Sequence, residues 1–208
     1  MSNLVEKYHE VFIEKSDHLT LKLNELKKRK FFDLFGDVDF NSFNWKKGKI
    51  SEFDSISIET GKYIRKQDLD PYGDYPVYGG HGIIGQHSEF LFEKGKIIVG
   101  RVGSYAGSVI ISQKKSWVSN NAYVIHLDKD HFLPEFLGQM ITILELNRYA
   151  SGAAQPYLST SVITNLEIIK PPIIRQLEFA HHFNKINTLN DKVQEREVLF
   201  NELISRIN

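Results

Sequence analysis

The side chains able to do chemistry here are eight histidines, a scatter of carboxylates and several Gly-rich polar runs. Their spacing decides what they can be. His81 and His87 lack carboxylates at a ligand spacing, and the adjacent His181 and His182 point in different directions on a helix. His126 and Asp128 fall two apart on one side of a strand-like run, which supplies two ligands and not a site. Cysteine is absent, which removes thiol catalysis, cysteine-based zinc sites and disulfides together. Neither HExxH nor a GxSxG elbow occurs, and no GxxxxGK(S/T) loop or helix-opening GxGxxG is present. Amino-group methylation usually carries an Asn/Asp-Pro-Pro-aromatic run. Here Asn120-Asn121-Ala122-Tyr123 lacks the prolines, and Lys170-Pro171-Pro172 lacks the rest. These residues point to a chain that is no enzyme and holds neither metal nor cofactor.

Recognition chemistry remains. YGGHGIIG (78–85) and GRVGSYAG (100–107) carry Tyr78, His81, Gln86, Arg101, Ser104 and Tyr105 on or beside glycine-rich turns. Loops held on a rigid sheet are common recognition surfaces. Arg, Gln, Asn and Ser offer the directional hydrogen bonds that read base edges, while Tyr and backbone amides suit phosphates. In the first run the glycines flank Ile83-Ile84, which reads as a turn between short strands. The second joins two β-type runs and reads as a hairpin loop. The alternative for Gly80, Gly82, Gly103 and Gly107 is that they only shape turns.

The elements that must position these loops fall into three stretches: 1–36, 37–172 and 173–208. In the first, Val5, Tyr8, Phe12, Leu19, Leu23 and Leu26 recur at helical spacing, with Ser16-Asp17 as a possible break and Gly36 as a C-cap. Residues 37–47 read as a linker packed down by aromatics. Beyond them, β-type runs appear at 56–58, 95–100, 107–112, 122–127 and 162–169, with a helix expected from Pro134 to Tyr149. The last stretch is helical, and its 36 residues would form a rod of roughly 54 Å. Phe179, Phe183, Ile186, Val193, Phe200, Ile204 and Ile207 follow a heptad frame, with Asn190 and Glu197 also facing the seam. An apolar seam is not content alone in water. Its companion is either the N-terminal helix or a second protein.

The chain has 208 residues, 41% hydrophobic and 25% charged, the balance of an ordinary folded domain. Lys and Arg total 26 against 26 Asp and Glu, so bulk electrostatics alone does not hold nucleic acid. No apolar run is long enough to span a bilayer, and the charged N-terminus does not read as a secretory signal. A cytoplasmic, non-membrane protein is expected.

Taken together, the motifs resemble the specificity (S) subunit of type I restriction–modification systems. The residues that carry the likeness are YPVYGGHGIIGQ (75–86), IIVGRVGSYAG (97–107), Trp117 with NNAYVI (120–125), and SGAAQPYLS (151–159). ITNLEIIKPPIIRQLEFA (163–180) and the long helix follow in order. The segment LNELKKRKFFDLFG (23–36) is similar to the distal end of the family's spacer helix. The usual subunit carries two target recognition domains and two antiparallel spacer helices, whereas this chain has one domain, as a half-subunit would.

The resemblance implies an α+β fold: a recognition domain with a curved mixed/antiparallel β-sheet and small helices, flanked by terminal helices forming an antiparallel pair. It implies recognition of a bipartite double-stranded DNA target without catalysis. Modification (methyltransferase) subunits, and restriction subunits beyond them, are the implied partners, and a homodimer through the terminal helices is expected. On that footing Tyr78, His81, Gln86, Arg101, Ser104, Tyr105, Lys114, Lys115, Asn120, Asn121 and Gln155 frame the DNA-facing surface. Arg101 and Gln86 are first choices for base edges, and Lys62, Arg65 and Lys66 for phosphate. The rival is an interaction protein that reads no DNA and instead pairs with full-length specificity or modification subunits.

Overall fold

The computed structural model describes residues 2–152 and 154–207, and the side chains of these from residue 6 to 206. The first helix, α1 (Ser2–Phe35), runs unbroken past Ser16. Ser16 is buried and does not cap a new helix, because its side chain lies in the seam with the last helix. Gly36, at φ 73°, ends α1 with its amide donating to Phe32 O at 2.9 Å, the left-handed cap expected of glycine.

Among the described residues nine strands follow: β1 (Lys46–Lys49), β2 (Ile56–Thr60), β3 (Tyr75–Tyr78), β4 (Ile83–His87), β5 (Ile97–Gly100), β6 (Val109–Ile111), β7 (Trp117–Val118), β8 (Ala122–Leu127) and β9 (Glu167–Lys170). The helices α2 (Pro134–Ile143) and α3 (Thr160–Thr164) precede β9, and α4 (Ile173–Ile207) closes the described chain. A four-stranded antiparallel sheet has the order β2-β8-β5-β6. A three-stranded sheet, β4-β3-β7, mixes an antiparallel pair with the parallel pair β3–β7. Strands β1 and β9 pair separately, with Lys46 opposite Lys170. The fold is α+β with mixed and antiparallel sheets.

Alternation along β5 and β8 explains the layering. Ile97, Val99, Tyr123 and Ile125 face the main core with Phe136, Leu137, Met140 and Ile141 of α2. Ile98, Ala122 and Val124 face the opposite way, onto Tyr78 and Val118 of the smaller sheet. Covered on both faces, β5 reads as an uninterrupted apolar run.

Phe31 and Phe35 of α1 enter this core beside Phe136 and Phe179, with ring centroids 4.7–5.7 Å apart. The helices are thus rooted in the domain. Their outer parts find partners in each other. Phe12 stacks on Phe200 at 4.1 Å, His9 Nε2 lies 2.7 Å from Asn201 Oδ1, and Leu23 packs with Ile186 and Val193. The pair is antiparallel.

Several expectations shift. The apolar run 162–169 is not one strand: Val162 and Ile163 belong to α3, and β9 begins only at Glu167. In short apolar runs, periodicity does not separate a buried helical turn from a strand. The helix expected to reach Tyr149 stops at Ile143, where Glu145 takes φ 51° and a tighter 3₁₀ turn covers Leu146–Tyr149. Ile83 and Ile84 open β4 and are not a turn; the turn is 79–82, closed by Gly79 N–H donating to Gly82 O at 2.8 Å. The supposed linker ends in β1. Val5 and Ile207, expected in the helix seams, lie outside the described side chains, and Ala153 of SGAAQPYLS lies outside the described residues.

Candidate nucleic-acid interface

One end of the stacked sheets gathers five segments: the exit of β2, the β3–β4 turn, the β5–β6 connection, the β7–β8 turn and the stretch 151–158. Backbone hydrogen bonds stitch them. Lys62 N–H donates to Val118 O at 2.9 Å, Arg101 N–H to Asn121 O at 2.9 Å, Gly103 N–H to Pro156 O at 2.8 Å and Leu158 N–H to Arg101 O at 2.8 Å. Ser108 Oγ donates to Gly80 O. A Cβ added to Gly80 would lie 3.2 Å from Gly100 Cα, so the β3–β4 turn rests directly on the end of β5.

Eight of the sequence-predicted residues meet on this tip: Lys62, His81, Arg101, Ser104, Tyr105, Asn120, Asn121 and Gln155. His81 and Tyr105 stack face to face, with centroids 3.6 Å apart and planes 13° apart, and both are exposed. Lys62 Nζ sits 5.5 Å above the Trp117 ring, and Trp117 Nε1–H donates to Lys62 O at 3.3 Å. Asn121 and Gln155 are exposed, and Asn120 is half-buried. Arg101 Nη1 donates to Asn120 O at 3.2 Å.

Three others lie on the flank. Gln86 is half-buried on β4, and its carbonyl accepts Asp70 N–H at 2.9 Å, which ties segment 65–70 alongside. Lys66 is exposed there. Arg65 forms a two-pronged pair with Asp68, Nε to Oδ2 and Nη2 to Oδ1, both 2.8 Å. That pair raises the Arg65 guanidinium and lowers the Asp68 carboxyl from their ordinary values.

The remaining three sit elsewhere. Tyr78 is buried between the sheets, its hydroxyl accepting Gln113 N–H at 3.2 Å and its phenol raised by burial. Lys114 and Lys115 lie at the opposite end of the sheets, where Lys115 N–H donates to Glu93 O and its ammonium sits 5.8 Å over Phe90. The two-residue β7 crosses from that end to the tip. Sequence adjacency to Asn120 therefore does not bring these lysines to the tip.

The histidines do not converge. His81 stacks on Tyr105, while His87 packs against Trp117 at 4.8 Å. His126 lies between Glu59 Oε1 at 2.8 Å and Lys96 Nζ at 3.0 Å, and Asp128 pairs with His131 at 3.1 Å. Among the described residues no three His, Asp or Glu side chains group as a metal site. No described helix is long and apolar enough to cross a membrane.

Sequence reasoning missed Tyr123 and Tyr157, whose rings flank Arg101 at 5.8 and 5.4 Å. Only the position of Tyr157 within SGAAQPYLS hinted at it. It also missed the exposed Ile83 and Ile84 shoulder and Tyr63 beside the tip.

Loops gathered at one end of stacked sheets, above a rooted antiparallel helical pair, define a recognition module on a helical strut. The model of the type I restriction modification DNA specificity domain matches residues 43–198, well over half of the chain. The chain belongs to that family, whose domain recognises DNA and is not itself catalytic.

The specificity subunit of the type I restriction enzyme EcoprrI from Escherichia coli is 30% identical over 121 residues, 58% of this chain and 30% of that one. The type I restriction-modification S subunit from M. genitalium superposes with a TM-score of 0.72 over 98% of this chain and 58% of its own, at 16% identity. The HsdS subunit from Thermoanaerobacter tengcongensis gives 0.54 over 99% and 54%, at 13% identity. At those identities the two structures attest the fold alone. The chain spans less than two thirds of each of these relatives.

Proposed function

We propose that the chain reads one half of an interrupted DNA target and places methyltransferase subunits, and restriction subunits with them, upon it. The observation that carries this is the joining of eight polar or aromatic residues singled out in the sequence on one stitched tip. Asn121, Gln155, Ser104 and the His81–Tyr105 stack present the reading edges, Gln86 flanks them, and Lys62 and Lys66 meet phosphate. Arg65 must exchange Asp68 for a phosphate to join them. With zero net charge and few unpaired cations on the tip, the methyltransferase supplies much of the phosphate binding.

The second copy enters through a particular flank of the helical pair. The α4 heptad residues Phe179, Phe183, Ile186, Asn190, Val193, Phe200 and Ile204 run along the seam occupied by α1 of the same chain. On α1 the opposing row is His9, Ile13, Ser16, Thr20, Leu23 and Lys27, alternating four and three apart. In an antiparallel pair the residues just before the first core position of each heptad share one flank. Here these are Phe12, Leu19 and Leu26 with Leu189, Arg196 and Leu203. The opposite flank carries Asp17, Asn24, Asn187 and Gln194. Leu19, Leu26, Leu189 and Leu203 are 45, 39, 51 and 54% exposed, so one flank is apolar and uncovered. Two copies joined there form a four-helix strut with a reading tip at each end.

The test is co-purification with an adenine methyltransferase subunit and mapping of the methylated adenines in random DNA. A palindromic, interrupted target supports a paired half-subunit. A single asymmetric site refutes the pairing, and tight methyltransferase binding with no sequence preference favours an interaction protein that reads no DNA.

A further inference from the structure

We propose that Arg101 is a positioning residue that locks the reading loops together, and not a reader of a base edge; this rests on the DNA-reading function proposed above. A guanidinium reads guanine with two parallel donors on one edge of its fork. Arg101 holds neither edge free. Its Nε is buried without a partner, and its Nη1 is given to Asn120 O. The Nε–Nη2 edge is closed by the burial of Nε, and the other edge shares its Nη1 with Asn120 O.

The surroundings show what the side chain does instead. Its cation sits between the rings of Tyr123, from β8, and Tyr157, from the 151–158 stretch. The Tyr123 and Tyr157 hydroxyls lie 3.2 Å apart, and Tyr123 also donates to Leu158 O at 2.9 Å. The Tyr123 hydroxyl, and after it the Arg101 guanidinium, hold the Tyr157 phenol below its ordinary value. Tyr157 is clamped in turn by Ser151, the two exchanging backbone hydrogen bonds of 2.9 and 2.7 Å. The main chain of Arg101 extends the lock. Its N–H donates to Asn121 O and its C=O accepts Leu158 N–H. One residue thereby fixes the β5–β6 connection, the β7–β8 turn and the 151–158 stretch, which carry Ser104, Tyr105, Asn121 and Gln155.

Two measurements on the full chain test this. Hydrogen exchange, which needs no DNA, reports the lock. In Arg101→Ala and in Tyr157→Ala the amides of Arg101 or its replacement, Gly103 and Leu158 exchange about two- to fivefold faster, as the loss of a solvent-accessible cation–π contact implies. Those of Ile98 and Val124 in the core stay unchanged and certify folding. Arg101→Lys, which keeps the cation between the rings, recovers most of the protection.

Methylation mapping with the modification subunit reports the reading. Both alanine variants lower methylation of the parent target while leaving the preferred base pair at every position as it was. Loop amides as protected in Arg101→Ala as in the parent overturn the lock. A changed preference at one base pair in Arg101→Ala, absent from Tyr157→Ala, restores Arg101 as a reader and overturns the proposal. A parent chain that directs no sequence preference at all overturns the DNA-reading function, a failure the exchange experiment keeps separate.

Discussion

Charging the apolar flank of the helical pair should split the proposed dimer. Full burial of a leucine side chain is worth roughly 1.5–3 kcal/mol. Leu19 and Leu189 are already about half covered, at 45 and 51% exposed, so pairing gains about 0.75–1.5 kcal/mol from each. Both residues occur in both copies. Leu19→Lys with Leu189→Lys therefore removes about 3–6 kcal/mol of association energy, two to four decades in Kd, before any charge repulsion is counted. The helical pair itself survives, because neither side chain belongs to its seam. Sedimentation velocity over a concentration series reads the outcome, with Asp17→Lys on the polar flank as the matched control. The parent and the control associate alike, and the double variant stays monomeric over the same range. A double variant that associates as tightly as the parent, or a parent that stays monomeric at its highest soluble concentration, would show that this flank does not join copies.

Three further expectations concern stability, each read from urea unfolding midpoints. Gly107→Ala costs about 2 kcal/mol or more, since at φ +89° its Cβ would fall 2.4 Å from Asn147 N; Gly103→Ala, at φ +77° but facing open space, costs only about 1 kcal/mol. Equal losses would mean that strain alone, without the close approach, sets both. Asn190→Leu stabilises by about 1 kcal/mol because the buried Asn190 Oδ1 has no hydrogen-bond partner, and a destabilised variant would reveal one in solution. Burial beside Phe183 lowers the Lys27 ammonium, with Asp191 opposing, so the folded chain gives up that proton before the unfolded chain does. Stability therefore rises with pH through the window from the lowered value up to the ordinary lysine range. Lys27→Met loses that rise and is more stable at neutral pH by about 0.5–1 kcal/mol, allowing for the solvent that reaches the amine; an unchanged pH slope would contradict it.

What the sequence revealed depended on whether the deciding contact was local. The long helices were legible because their heptad spacing is a property of each helix alone. That spacing marked the seam of α4 but left open what fills it, since the opposing row on α1 is mostly polar: His9, Ser16, Thr20 and Lys27. The glycine-rich turns of the tip were legible for the same local reason. Which end of a sheet a loop occupies was not. Lys114, Lys115 and Asn120 are close in sequence, yet β7 carries the chain from one end to the other between them. Tyr78 was taken for a surface residue beside His81 because pairing with β7 on one side and β4 on the other, which buries it, is non-local. Arg101 illustrates the limit most sharply. Its type suggested a base reader, and its seat between Tyr123 and Tyr157, both distant along the chain, is set by non-local packing that no local pattern shows.

The way the tip is held also bears on how its target can change. Four of its fastenings, from Lys62, Arg101, Gly103 and Leu158, are main-chain hydrogen bonds, reinforced by the Arg101 side chain between Tyr123 and Tyr157. The exposed Ser104, Asn121 and Gln155 project from this frame, and none of their side chains supplies one of these fastenings. Replacing them, as in Asn121→Ser or Gln155→Lys, is therefore expected to move stability by no more than about 0.5 kcal/mol. The same replacements should alter the methylated sequence at one or two base pairs, each worth about 1–3 kcal/mol of discrimination. Urea midpoints and methylation mapping on the same variants separate the two effects. A tip in which every change of target came with a loss of several kcal/mol of stability would mean that the side chains, and not the backbone frame, hold the loops in place.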